Sequence, residues 1–148
     1  MALVNMRDML YHAFDNNYAV GAFDLVSLDF LEAVIDAAEQ CRAPVILSIA
    51  EPHFVHFNVE LMMPAVEAAA QRASIPVAIQ LDHGSKLESA VKAINMGCNG
   101  VMLDASDKEL RLNVKATREV VEMAHDCGVP VVGELGYVAG YEGEGAEI

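Results

Sequence analysis

Five short aliphatic runs recur along the chain, each ending in an ionisable residue and each followed by apolar positions at helical spacing. The clearest is Val77 to Leu81, an unbroken apolar stretch save for Gln80, of the kind a parallel strand shows when both its faces are covered. It stops at Asp82-His83-Gly84. Ser85 and Glu88 then stand at the spacing of a capping box, and Leu87, Ala90, Val91 and Ile94 recur along one helical face. The pattern predicts a strand, a tight polar turn and a helix.

The same unit repeats from the start. Met6, Met9, Leu10 and Ala13 predict a short leading helix over 5–13. Ala19 to Phe23 predicts a first strand ending at Asp24. Ser27 is placed to cap a helix whose inner face is Leu31, Val34, Ile35 and Ala38. Val45 to Ile49 predicts a second strand, leading to Glu51, His53 and His56. Asn58 is placed to cap a helix facing inward through Leu61, Met62, Ala65, Val66 and Ala69. Gly97 fits the residue after a helix end, ahead of a fourth strand from Gly100 to Leu103 that ends at Asp104. A helix over 113–126, with Val114, Thr117, Val121 and Ala124 inward, is closed by Gly128, and Val129 to Gly133 predicts a fifth strand ending at Glu134. Strand starts at Val20, Val45, Val77, Val101 and Val131 lie 25, 32, 24 and 30 residues apart.

Regular βα alternation of this kind argues for a parallel sheet with right-handed crossovers. A doubly wound sheet and a (β/α)8 TIM barrel both satisfy it. Every strand here ends in a polar or ionisable group, whereas a doubly wound sheet concentrates its site at one switch point. No glycine-rich phosphate loop follows the first strand. The final residues, from Gly140 to Ile148, form a glycine-rich acidic loop with no helix after it. The reading is therefore α/β, the first five strands and four barrel helices of a (β/α)8 barrel, with residues 1–148 as the N-terminal part of one barrel domain that stops short of closure.

Composition changes this picture only at its edges. The chain has 148 residues, is 54% hydrophobic and carries a net charge of −13. An acidic surface repels phosphate backbones, so nucleic acid is not an expected partner. No apolar stretch reaches the length of a membrane span and no signal peptide leads the chain, so a cytoplasmic protein is expected. Cys41, Cys98 and Cys127 form neither a disulfide framework nor a zinc motif and read as reduced, buried thiols.

The strand-end groups carry the candidate chemistry. His83, Asp104 and Glu134 supply one imidazole and two carboxylates, ligand types suited to zinc or a similar divalent ion. From spacing alone they serve equally well as helix caps or lysine partners. Asp82 and His83 are adjacent, so in a regular strand they point to opposite faces unless the turn at Gly84 brings them together.

The residues Tyr18 to Phe23, Ala43-Pro44-Val45-Ile46, Leu81-Asp82-His83-Gly84, Gly100 to Asp104 followed by Ser106, Val120 to His125, and Gly133-Glu134-Leu135-Gly136 running into Gly140-Tyr141-Glu142 occur in this order. By these motifs the chain resembles the N-terminal part of the class II, metal-dependent aldolases, which include fructose-bisphosphate and tagatose-bisphosphate aldolases. The resemblance implies reversible cleavage of a ketose phosphate or bisphosphate to dihydroxyacetone phosphate and an aldehyde; the alternatives are a related metal-dependent lyase with a different keto substrate and an inactive half-barrel that serves as a binding or assembly module. It implies a bound Zn2+ or other divalent metal, a phosphorylated sugar substrate and a homo-oligomer, dimer or tetramer. It also implies His83 as a zinc ligand, with Asp104 and Glu134 at a second, more buried position of the same metal site. Asp82 would be the acid/base at the hydroxyl of the carbon where the bond is cut, and Glu142 the group that moves the proton at the ketone-side carbon. The chain departs from the family at Asp24, Ala50 and Ala105, where Asn, Ser and Gly are usual, and at Gly143. His53 and His56 are read as solvated loop histidines and His125 as structural, near a helix end.

Overall fold

A computed structural model describes residues 2–136. Its elements, in chain order, are α1 (Met6–Asp15), β1 (Gly21–Asp24), α2 (Leu28–Cys41), β2 (Val45–Ala50), a short 3-10 helix (Glu51–Val55), α3 (Val59–Arg72), β3 (Val77–Gly84), α4 (Leu87–Asn95), β4 (Gly100–Leu103), α5 (Leu110–Asp126) and β5 (Val131–Gly133). The five strands form one parallel sheet in the order β1-β2-β3-β4-β5, the same as their order along the chain. A doubly wound sheet reverses direction at a switch point and carries helices on both faces. Sequential order with one-handed crossovers instead sets α2 to α5 on a single face, and the architecture is that of a partial (β/α)8 barrel.

Strand alternation divides the side chains between two cores. Val45, Leu47, Ile49, Val77, Ile79, Leu81, Val101 and Leu103 point toward the helices and pack with Leu31, Met62, Val66, Ala90 and Val120. On the concave face Ile46 and Ala78 meet Met6 and Met9 of α1, so the leading helix fills the amino-terminal end of the sheet. Gly100 permits this, because a Cβ there would lie 2.5 Å from the Met6 side chain. Leu3 bridges to Val77, and the Asn99 amide reaches the Val4 carbonyl, tying the first residues to the same end.

Several helix faces are rotated from their predicted phase. In α3 the buried residues are Val59, Met62, Met63, Val66 and Ala70, while Leu61 is exposed. In α5 they are Asn113, Val120 and Ala124, with Val114 exposed. In α3 the run Ala68 to Ala70 can bury on either side of the helix, so it leaves the phase of that segment weakly specified. The α2 and α3 caps are as expected, with Ser27 accepting from the Phe30 N–H and Asn58 from those of Glu60 and Leu61. The capping box at Ser85 does not form; the N-cap of α4 is Lys86, which makes no side-chain cap bond. The helix after β4 begins at Leu110 rather than Asn113. Only Cys98 of the three cysteines is buried; Cys41 and Cys127 are exposed. Among the described residues no helix is long and apolar enough to cross a membrane.

Candidate metal centre

The concave face becomes polar toward the carboxyl ends of the strands. Asp24 pairs in register with Ser48, Ser48 with Gln80, and Ala50 with Asp82, so these side chains stand in rows on one surface. Ser48 and Gln80 are buried, and Gln80 donates from Nε2 to Asp82 Oδ1 at 3.3 Å.

Where β3 ends, its register against β4 slips: Leu81 faces Val101, but Gly84 faces Leu103, so three steps on β3 match two on β4. The extra residue makes a bulge, and His83 takes the left-handed conformation at φ 47°. The bulge breaks the strict alternation that would send Asp82 and His83 to opposite faces. Gly84 closes it. Its carbonyl accepts from the Asp104 N–H at 2.8 Å, and a Cβ on Gly84 would sit 2.6 Å from the Met102 carbonyl oxygen, a backbone atom with no freedom to yield.

The consequence is a cluster. His83 Nδ1 lies 2.8 Å from Asp104 Oδ2 and 3.9 Å from Glu134 Oε2. One ligand atom from each of the three residues can be chosen so that all lie within 4.8 Å of one another. The side chains are 46%, 28% and 17% exposed in the order His83, Asp104, Glu134, so the group is open on the imidazole side and most enclosed at Glu134. Each is held from behind. Asp104 Oδ1 accepts from both the N–H and the hydroxyl of Ser106, at 3.0 and 2.7 Å, which leaves Oδ2 for His83. The Asn113 side chain, buried in the first turn of α5, donates to the Glu134 carbonyl at 2.8 Å and accepts from the Thr117 hydroxyl at 3.1 Å.

Burial alone would push the His83 imidazole down, but its hydrogen bond with Asp104 and the charges of Asp82, Asp104 and Glu134 outweigh this and raise its pKa. Burial likewise works to raise Asp104, yet the Ser106 hydroxyl, His83 and the Ser106 N–H hold it below the ordinary carboxylate value. An imidazole whose protonated form is favoured by surrounding carboxylates marks a place where positive charge is favoured.

Of the residues singled out from the sequence, His83, Asp104 and Glu134 come together and Asp82 stands beside them. Glu142 lies outside the described residues. Glu51 is drawn into the support of this site, accepting from the Ser85 N–H and the Ser89 hydroxyl. His53 is part of the 3-10 helix and its Nδ1 is buried without a hydrogen-bond partner, contrary to the solvated position expected; His56 is exposed. Gln80 and Asn113 were not foreseen in their roles. The signal for Gln80 was an amide-bearing side chain inside an otherwise apolar strand; Asn113 stands among the charged residues of α5, which give no local signal for it. An apolar cavity of about 400 Å3 between β1 and α2, lined by Phe23, Phe30, Val34, Cys41 and Pro44 among others, includes none of the cluster residues.

A family model described as fructose-bisphosphate aldolase class-II matches residues 4–147. A probable fructose-bisphosphate aldolase of Bacillus subtilis is 43% identical over 145 residues, covering 96% of this chain and 51% of the relative. A fructose-bisphosphate aldolase of Thermus caldophilus is 41% identical over 140 residues, covering 95% of this chain and 46% of the relative. Among solved structures, the YdjI aldolase from Escherichia coli K12 superposes with a TM-score of 0.89 at 34% identity, over 92% of this chain and 53% of that one. The chain thus spans about half the length of the curated relatives it matches.

Proposed function

Because the chain belongs to the class-II fructose-bisphosphate aldolase family, we propose that its protein reversibly cleaves a ketose bisphosphate to dihydroxyacetone phosphate and an aldehyde, using a divalent metal held by His83, Asp104 and Glu134. The observation that carries this reading is the convergence of one imidazole and two carboxylates, within 4.8 Å, at the ends of three consecutive strands. The donor set fits such an ion: nitrogen and oxygen ligands suit zinc, and a cation relieves the negative charge that Asp82, Asp104 and Glu134 place around the imidazole. When bound, the ion supplies a Lewis acid that stabilises the negative charge left on the ketone side as the carbon–carbon bond breaks.

The chain's own residues divide the remaining work. Asp82, held through Gln80, takes the proton from the hydroxyl on the carbon where the bond is cut and returns it in the reverse direction. Ser106 holds Asp104 through Oδ1, which keeps Oδ2 turned toward His83 and the site the ion would occupy. Glu142 is assigned the proton transfer at the ketone-side carbon by its place in the family motif. We assign residues 1–148 to the N-terminal part of a single barrel domain, the metal to zinc, the protein to the cytoplasm and the assembly to a dimer or tetramer.

The test is turnover of fructose 1,6-bisphosphate and tagatose 1,6-bisphosphate by the full protein that carries this chain, before and after a chelator and after metal is restored. Chelator-sensitive cleavage that Asp82→Asn abolishes is expected. Turnover indifferent to chelator would overturn the metal mechanism.

A further inference from the structure

Glu51 is the first residue after β2, and the register Ala50 to Asp82 brings it level with the turn that follows β3. Both of its carboxylate oxygens are engaged there. Oε2 accepts from the Ser85 N–H and Oε1 from the Ser89 hydroxyl, each at 2.5 Å. Ser89 is buried, 8% exposed, in the first turn of α4. The N-cap of that helix, Lys86, offers no side-chain acceptor. Glu51 therefore ties the residue before the N-cap, and a buried hydroxyl in the first turn of α4, to the end of the neighbouring strand β2.

Position makes this more than a cap. Ser85 follows directly on the Asp82-His83-Gly84 bulge, whose His83 is held at a positive φ. A left-handed conformation at a non-glycine residue is costly and persists only where its surroundings over-determine it. On one side the bulge is held by the Gly84 carbonyl bonded to the Asp104 N–H; on the other, the carboxylate of Glu51 grips the next residue.

We propose that Glu51 is a positioning residue for the metal centre: by holding the Ser85 N–H and the Ser89 hydroxyl it fixes the turn that presents Asp82 and His83 to Asp104 and Glu134. The description of the cluster as a metal centre rests on the function proposed above. Glu51 itself touches neither metal nor substrate in this assignment, and its effect is transmitted through the backbone of residues 83–85.

The experiment compares the full protein as wild type, Glu51→Ala, Glu51→Gln and Ser89→Ala. Three readouts are taken: cobalt(II) affinity from the visible absorption of the bound ion, steady-state kinetics on fructose 1,6-bisphosphate, and the ring-nitrogen chemical shifts of His83 in metal-free protein. For folded Glu51→Ala the expected result is a loss of roughly 10-fold to 100-fold in cobalt affinity and in kcat. KM should stay within about 3-fold, because ground-state binding is not what is lost. The His83 shifts should depart from those of the bond to Asp104. Glu51→Gln should recover most of the loss, since its Oε1 can accept from the Ser85 N–H while its Nε2 donates to the Ser89 oxygen. Ser89→Ala, which removes one of the two bonds, should lose roughly 3-fold to 10-fold in cobalt affinity.

Wild-type cobalt affinity and His83 shifts in Glu51→Ala, with only a lower melting temperature, would reduce Glu51 to a helix cap and overturn the proposal. So would Glu51→Gln as defective as Glu51→Ala. If Glu51→Ala does not fold, Ser89→Ala decides in its place, and wild-type affinity there overturns the proposal. Should the wild type show no chelator-sensitive cleavage, the aldolase assignment fails while the His83 shifts still report on Glu51.

Discussion

Asn113 and Glu134 are joined by a bond that leaves the carboxylate untouched: the buried Asn113 amide donates to the Glu134 main-chain carbonyl at 2.8 Å. A helix thereby holds the backbone just beyond the end of β5, and the Glu134 side chain is left to face His83. Asn113→Ala would strand that carbonyl and the Thr117 hydroxyl that donates to Asn113. A stability loss of about 1–3 kcal/mol in urea unfolding is expected. Weaker metal binding should accompany it, because Glu134 loses its anchor. An unchanged unfolding midpoint would show that water replaces the amide without cost.

Gly84→Ala is expected to damage the site rather than merely loosen the fold. The added Cβ would meet the Met102 carbonyl oxygen at 2.6 Å and the Leu81 side chain at 2.8 Å, and the first cannot move without disturbing β4. Overpacking of this kind costs roughly 1–3 kcal/mol. The Gly84 to Asp104 backbone bond should break with it, so metal affinity falls more steeply than the melting temperature, measured on the same samples.

Metal uptake should release a proton from His83. Its pKa lies above the ordinary 6.5, raised by Asp104, Asp82 and Glu134 against the opposing effect of burial. The metal-free protein therefore gains stability from protonated His83 that is fully present below pH 6.5 and is lost as pH rises through the higher folded value. Because the ring is half exposed, solvent screening keeps the gain small. Apparent metal affinity should climb over the same interval as the competing proton leaves, and His83→Gln should flatten both profiles. A metal affinity independent of pH between 6 and about 8 would contradict the assignment of His83 as a ligand.

Thiol chemistry separates the cysteines. Burial pushes the Cys98 thiol up to about 12, whereas Cys41 and Cys127 are exposed. An aromatic disulfide reagent at mild alkaline pH should modify Cys41 and Cys127 promptly and Cys98 only after denaturant is added. The same shift costs stability as pH rises past the ordinary thiol value of 9.0, since the unfolded chain then ionises a group that the folded chain holds neutral. Rapid modification of all three in native buffer would contradict the packing around Cys98.

How much of this was legible in the sequence depended on whether the signal was local. β2 and β3 were plain because strands buried on both faces are runs of β-branched and aliphatic residues, and their ends were plain because an acid interrupts each run. His83, Asp104 and Glu134 were legible as a set for the same reason. The bulge was not, since a one-residue slip between β3 and β4 has no counterpart in composition. Nor was the role of Glu51, because the acceptor for the start of α4 came from 34 residues upstream and displaced the local Ser85 and Glu88 box. The phase of α3 departs from the sequence pattern at Leu61, where the alanines give no preference between two faces and packing buries Met63 and Ala70 instead.

The order of the strands bears on how this chain folds during synthesis. Among the described residues the five strands each pair with their neighbours in the chain, so none of β2 to β5 waits for its first partner. Each βα unit leaving the ribosome meets an edge already laid down by its predecessor, and the sheet can grow in the direction of translation. Within the described residues the polar rim is completed only by the last strands. The bulge of β3 needs β4 in place, and His83 finds Glu134 only when β5 has been added. On this route the described part of the chain acquires its hydrocarbon layers first and gathers its carboxylates last, once the scaffold that forces them together is standing.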